Sequence, residues 1–313
     1  MRRLDIIRQT RFEVKKDIHT RDFPQYLAAR LSTTRTIAER LVAQGAVRVN
    51  GEPADPHHMP RRGDVVDIEF PQAFTAHMLP TAMPLSILHE DDRLIAVDKP
   101  AGIIVHPARG HMTADTILNG LFHYLQQKDQ AAEPPYLAVS HRIDQDTSGI
   151  VVYARDRASH QHVSAQFQER RAQKTYLAIV DGIPATETFT IRGAIGPDPV
   201  REGLWAVLPD AAPGAKAAET VFRVLTPLAN AALVEARPLT GRTHQIRLHL
   251  YAAGHPICGD RDYHPQPEKW RTIKRNCNCI TQHNTHPTNA APHPTHAPLP
   301  ADMAGLIQAL HHP

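Results

Sequence analysis

His141-Arg142-Ile143-Asp144-Gln145-Asp146-Thr147-Ser148-Gly149 runs directly into Ile150-Val151-Val152-Tyr153-Ala154. A polar loop with two carboxylates and a cation thus enters an apolar, β-branched run suited to a sheet interior. Gly149 supplies permissive backbone at the join. Loops held against a rigid strand often carry reactive groups, although polar residues are also the ordinary composition of a turn.

Working outward, residues 158–171 have helical spacing, with Val163 and Phe167 inward. Arg170 and Arg171 fall near the C-terminal end, where the helix dipole favours cations. Residues 174–182 read as a strand entering a turn. Residues 221–225 and 232–236 read as antiparallel strands with a short connection. Pro238-Leu-Thr-Gly241 turns the chain into a helix from Arg242, on which Ile246, Leu250 and Ala253 share a face and which Gly254 ends. Upstream, residues 116–125 form a helix with Ile117, Leu118, Leu121 and Leu125 on its apolar side, followed by a polar loop over 127–135. Leu94-Ile-Ala-Val-Asp-Lys99 is a strand stopped by Pro100 and Gly102.

The N-terminal part has a different grain. Residues 1–20 show no periodicity and read as a partly ordered lead-in. Phe23, Tyr26, Leu27 and Leu31 then fall at helical spacing. Ser32 or Thr33 is suited to cap a second helix carrying Ile37, Leu41 and Val42, and Gly45 stops it. Val47-Arg-Val-Asn-Gly51 alternates and ends in a strong hairpin signal, and Val66, Ile68 and Phe70 alternate as a closing strand. Residues 71–86, with three prolines and no periodicity, read as a linker.

At 313 residues the chain has room for about two domains, and 42% hydrophobic residues exclude wholesale disorder. No apolar run has membrane-spanning length, and the N-terminus lacks the apolar core of a signal peptide. Three late cysteines, Cys258, Cys277 and Cys279, do not make a disulfide framework, so a reducing, cytoplasmic location is expected. Residues 1–62 hold 13 Lys or Arg against 7 Asp or Glu, a net +6, while the whole chain is only +3. A basic module on a near-neutral body fits a polyanion partner.

His141-Arg-Ile-Asp144-x-x-Thr147-Ser-Gly149 resembles the signature, usually His-Arg-Leu-Asp, of the RluA family of RNA pseudouridine synthases. Ile143 is a volume-conserving departure. Lys174-Thr-Tyr176-x-Ala178, Gly241-Arg-Thr-His-Gln-Ile-Arg247 and His255-Pro-x-x-Gly-Asp260 match the same family in order and spacing, as does the Lys99-Pro-x-Gly-x-x-x-His-Pro107 segment. Gly45–Gly51 and Gly63–Val66 resemble pieces of an S4-type RNA-binding domain, whose usual Arg-Leu-Asp-x-x-Leu opening is replaced here by Arg21-Asp-Phe-Pro-Gln-Tyr-Leu27.

The resemblance implies an α+β fold: a small S4-like helix-hairpin domain at 21–70, a linker at 71–86, and a catalytic domain at 87–313 around a mixed, mostly antiparallel sheet. Short strands with short connections agree with this independently. It implies Asp144 as covalent nucleophile, Arg247 as the cation that keeps it ionised, and Tyr176 as a stacking surface for an extruded uracil and an aid to deprotonation at C5. Arg142 would fill the vacated place in the base stack. His141, together with Arg35, Arg40 and Arg48 of the S4-like domain, would contact RNA. Asp146 occupies a variable position and reads as solvated.

The expected substrate is RNA, most often large-subunit ribosomal RNA for family members with an S4-type domain, with transfer RNA as the alternative. A monomer with no membrane association is expected. The isomerisation is redox-neutral and no dinucleotide or phosphate-loop fingerprint is present, so no cofactor is expected. His244 and His249 are five apart and do not share a helix face, and Cys277, Cys279, His283 and His286 match no standard zinc spacing, so no metal is expected. The tail over 264–296 is atypical, because the family's Arg-Gln-x-Leu-His-Ala strand is replaced by Lys274-Arg-Asn-Cys-Asn-Cys279. That departure keeps open a non-catalytic RNA-binding factor on the same fold. A base-excising glycosidase is the third reading, distinguished by release of free uracil.

Overall fold

The computed structural model describes residues 9–15, 22–31, 35–55, 57, 60–69, 80–107, 115–130, 135–270, 278–285 and 292–311. Two compact units emerge: residues 1–79 with 108–114, and residues 80–107 with 115–313.

The first unit contains β1 (Gln9–Glu13), α1 (Phe23–Arg30), α2 (Arg35–Ala43), β2 (Val47–Val49), β3 (Glu52–Pro53) and β4 (Val65–Glu69), with its strands in the order β1-β4-β2-β3. Asp22 starts α1 by accepting the Gln25 N–H at 2.8 Å. Phe23 and Leu27 from α1, Leu41 from α2, and Val47, Val66 and Ile68 from the sheet are almost completely buried together. Asn50 and Gly51 join β2 to β3 with φ of 54° and 85°, the left-handed pair a tight hairpin requires. One expectation changes: the lead-in contains β1, which pairs antiparallel with β4. Its only apolar residue is Phe12, so alternation could not reveal it. Ser32, Thr33 and Phe70, and the side chains of Ile37 and Arg40, lie outside the described residues.

The second unit is built on one large sheet. Its elements are β5 (Ser86–Glu90), β6 (Leu94–Lys99), α3 (Ile117–Asp129), β7 (Ala138–Val139), β8 (Ser148–Ala154), α4 (Arg157–Gln168), β9 (Gln173–Asp181), β10 (Thr188–Pro197), β11 (Trp205–Leu208), β12 (Lys216–Leu228), β13 (Ala231–Pro238), α5 (Gln245–Ala252), β14 (Asn278–Thr285), β15 (Pro292–His296) and α6 (Ala301–His311). The strand order is β11-β10-β12-β13-β9-β14-β8-β6-β5, with β15 on β14 and β7 on β8. Pairing is antiparallel except between β14 and β8, which gives the mixed, mostly antiparallel α+β sheet expected.

Every residue of β8 is buried because both faces are covered. Val151 and Tyr153 join the cluster that includes Leu121 and Leu125 of α3 and Ile246 and Leu250 of α5. Ile150, Val152 and Ala154 face Val163 of α4 on the other side. That two-sided burial explains a continuous apolar run where a half-exposed strand would alternate.

Several boundaries differ from the sequence reading. α3 begins with a Thr116–Asn119 capping box and runs to Asp129, so residues 127–129 are helical; Gln130, with φ 50°, ends it. α4 stops at Gln168, and Arg170 lies beyond it at φ 58°, so neither arginine sits in the last turn. α5 starts at Gln245, later than Arg242, and Ala253 is exposed. β10 and β11 occupy stretches for which no element was expected.

The atypical tail supplies a strand of the sheet. β14 lies between β8 and β9, pairing Asn278 with Ser148 and Cys279 with Gly149 on one side and Asn278 with Leu177 on the other. A strand without an apolar run stands at the centre of the sheet because main-chain N–H and C=O groups, rather than side chains, make the ladder.

Candidate active site

The loop before β8 is fixed from below. Lys99, fully buried at the end of β6, donates from Nζ to the carbonyls of Pro100 (2.9 Å), Ile103 (2.7 Å) and Gln145 (2.8 Å). The Gly102 N–H donates to the same Gln145 carbonyl at 2.9 Å, and the Gln145 amide returns a bond to the Gly102 carbonyl at 3.0 Å. Thr147 N–H closes a turn on the Asp144 carbonyl at 3.1 Å. Gly149 has φ 116°, where a side chain would be strained. The backbone carrying Asp144 is therefore held on both sides of its turn.

Arg247 approaches from α5. Its Nη1 lies 3.7 Å from Asp144 Oδ2, with the arginine side chain 6% and the aspartate 28% exposed. Its Nε and Nη2 each donate to Asp260 at 2.8 Å, and Nη2 also donates to Asp262 at 2.6 Å. Burial alone would lower the arginine pKa; hydrogen bonding and charge from Asp260, then Asp262 and Asp144, outweigh it and raise the value. The cation is thus secure, and its remaining edge is turned to Asp144. The Tyr263 ring lies under the guanidinium at 4.7 Å.

These residues stand in a cleft of about 1200 Å³ within the second unit, lined by both polar and apolar groups. Arg142, Arg170, Lys174, Arg237 and Arg242 also line it. The cleft is strongly cationic and larger than a small-molecule pocket needs to be, so it suits a polyanion reaching a carboxylate. Tyr176 lines it from β9 and is 7% exposed, belonging at once to the main core cluster and to the cleft wall. Asp146 is exposed and is not among the lining residues.

Asp144, Tyr176, Arg247 and Arg142 are thus brought together. His141 lines the same cleft and is half-buried. Its ring stacks on Phe167 at 4.7 Å, its Nε2 accepts the Val152 N–H at 3.0 Å, and its Nδ1 is buried. Burial, then the nearby Lys174 charge, lowers its pKa to about 3. Its packing thus supports the loop from the cleft wall. In the first unit, Arg35 is held by Asp22 and Glu39, each at 2.8 Å, and Arg48 donates to the Gly51 carbonyl at 3.1 Å; both are exposed. His249 is buried against Thr220. Among the described residues no three His, Cys, Asp or Glu form a metal-binding group. The side chains of Cys277, Cys279, His283 and His286 lie outside the described residues.

Residues 93–252 match the sequence model for RNA pseudouridylate synthase, and residues 24–66 match that for the S4 domain. The chain belongs to the RNA pseudouridylate synthase family. It is 34% identical over 280 residues to an uncharacterized RNA pseudouridine synthase of Bacillus subtilis, covering 88% of this chain and 89% of that one. It is 36% identical over 244 residues to ribosomal large subunit pseudouridine synthase D of Zymomonas mobilis, covering 76% and 74%. Human RNA pseudouridylate synthase domain containing 4 has a similar structure, with a TM-score of 0.59 and 25% identity over 72% of this chain and 92% of that one. Human RNA pseudouridylate synthase domain containing 1 gives 0.56 and 26%, covering 75% and 98%. The family membership makes the chain an RNA-modifying isomerase.

Sequence reading missed the parts that support this site: Lys99, Asp260, Asp262 and Tyr263. The first two stood inside quoted motifs, Lys99-Pro and Gly259-Asp260, without an assigned task.

Proposed function

We propose that this enzyme converts specific uridines of large-subunit ribosomal RNA to pseudouridine, with Asp144 as nucleophile. The Asp144–Arg247 pair on the wall of a cationic cleft carries this reading. The N1–C1′ bond breaks with its electron pair passing to uracil, and an Asp144 oxygen bonds to C1′. The uracil turns, C5 bonds to C1′ as the aspartyl bond breaks, the C5 proton leaves to a base, and N1 takes up a proton, so that the product is an isomer of the substrate. Tyr176 supplies a flat wall for the turning base and a phenol near the proton transfer. Arg142, exposed on the same loop, takes the place of the extruded nucleotide.

Residues 21–70 grip structured RNA through Arg35, Arg40 and Arg48, residues 71–86 link the domains, and 87–313 perform the chemistry as a monomer. The ribosomal target is supported by the likeness to ribosomal large subunit pseudouridine synthase D of Zymomonas mobilis and by the S4 match. A cytoplasmic site of action accords with ribosomal substrates, and no helix of the described residues is long and apolar enough to cross a membrane.

Tritium release from ribosomal RNA transcripts labelled at uracil C5 tests the proposal, with Asp144→Asn alongside. Release by the unaltered enzyme alone supports it. Release only from transfer RNA replaces the target. Free uracil in the supernatant indicates a glycosidase, and binding without release indicates a non-catalytic factor.

A further inference from the structure

We propose that His244 is a further catalytic residue, presenting a neutral Nε2–H to the uracil as it leaves the ribose. This rests on the isomerase reading above. His244 lines the cleft at the N-terminal end of α5 and has φ 55°. A non-glycine residue in the left-handed region carries a conformational cost, and such positions gather at functional sites.

The hydrogen bonds around Tyr263 favour one tautomer of His244. The backbone N–H of Trp205, which can only donate, reaches the Tyr263 oxygen at 3.2 Å. His244 Nδ1 lies 2.7 Å from that oxygen, and the two rings meet edge to face at 5.5 Å. Trp205 occupies one acceptor position of the oxygen, and the arrangement that also uses the phenol's own proton sends it to Nδ1; in that arrangement Nδ1 accepts and the imidazole proton sits on Nε2. Burial raises the Tyr263 pKa, so the phenol keeps that proton. Nε2 makes no hydrogen bond to the described residues, yet it is not among their buried, unpartnered atoms, so it opens on the cleft.

The surroundings keep the ring neutral. Burial lowers its pKa from 6.5; Asp144, Asp262 and Asp260 pull the other way and Arg247 assists burial, with a net lowering. A neutral donor has a clear use here. When N1–C1′ breaks, the electron pair spreads over uracil O2 and O4, and a fixed N–H stabilises that charge without itself losing a proton.

The test compares His244→Phe, which keeps the ring shape without a donor, with His244→Gln, whose amide N–H can stand near the Nε2 position. Both substitutes meet the same left-handed backbone, so the comparison cancels that penalty. Tritium release should show kcat lowered about 100-fold in His244→Phe, the loss typical of one missing donor to a developing anion, with KM little changed. His244→Gln should recover about tenfold or more. Equal rates for the two variants, or a loss confined to KM, would overturn the proposal. Nitrogen-15 spectra of histidine-labelled enzyme give a readout independent of turnover: Nδ1 unprotonated and Nε2 protonated, with the pattern altered in Tyr263→Phe. A protonated Nδ1 overturns the assignment even if the enzyme is active. An inactive unaltered enzyme with the expected spectrum instead overturns the isomerase reading, and the role of His244 with it.

Discussion

Arg247 meets Asp144 with Nη1 at 3.7 Å while Asp260 holds its Nε and Nη2, both at 2.8 Å. One guanidinium thus uses a buried acid as its anchor and leaves its free edge for an accessible one. Asp260 is 1% exposed, so the fork is desolvated, and its geometry rather than surface charge sets where Arg247 points.

Asp260→Asn is expected to weaken the anchor and leave a buried cation with less compensation. Breaking a buried pair costs about 3–5 kcal/mol, so the urea midpoint should fall clearly and tritium release should slow. An unchanged midpoint would show that Asp262 alone suffices.

Lys99→Met removes the Nζ donor from three carbonyls at once. A hydrogen bond from a charged donor contributes about 1.5–3 kcal/mol. Stability should drop by roughly that amount or more, and amide hydrogen exchange over residues 141–149 should quicken, because the Gln145 carbonyl loses one of its ties. Exchange rates identical to those of the unaltered enzyme would refute the clamp.

His141 predicts an acid-side loss of stability. Its folded pKa is about 3, whereas an unfolded histidine titrates near 6.5. Between these values the unfolded chain binds the extra proton, so the contribution is intact above about pH 6.5 and lost as pH falls. The slope is about 1.4 kcal/mol per pH unit for one such group. Buried His249, lowered to about 4, acts in the same sense. In His141→Gln the amide oxygen can still accept from Val152, and the slope of denaturation midpoint between pH 6 and pH 4.5 should flatten by one proton. An unchanged slope would count against a buried neutral ring.

Arg170 is exposed on the cleft with φ 58°. Arg170→Gly relieves a left-handed penalty of about 1 kcal/mol while removing a cation. Thermal stability should hold or rise as RNA affinity falls, with the log–log salt slope reduced by about 0.7 if one single-strand phosphate contact is lost. Affinity and slope equal to the unaltered enzyme would take Arg170 off the RNA path.

Much of the fold was legible because it is written locally. The apolar run of β8 behind Gly149, the apolar side of α3, and Asn50-Gly51 each depend on residues a few positions apart, so periodicity and turn chemistry could find them. β1, with Phe12 as its one apolar residue, and β14, with no apolar run, could not be found that way. Their pairing partners lie far along the chain, and the ladder is made by backbone common to all residues. The grouping of Asp144, Tyr176 and Arg247 followed from motif resemblance; nothing in their spacing measured it.

The sequence by itself determined the helices and the apolar strands, the α+β class, the cationic bias of the N-terminal module and the residues around which a site would form. Only the tertiary structure decided that Lys99 clamps the loop of Asp144, that Asp260 aims Arg247, that His141 packs on Phe167, and that the Tyr263 oxygen meets His244 Nδ1. Each of these depends on a contact between segments distant in sequence. Local propensity places a residue on an element, but long-range packing alone fixes which donor meets which acceptor.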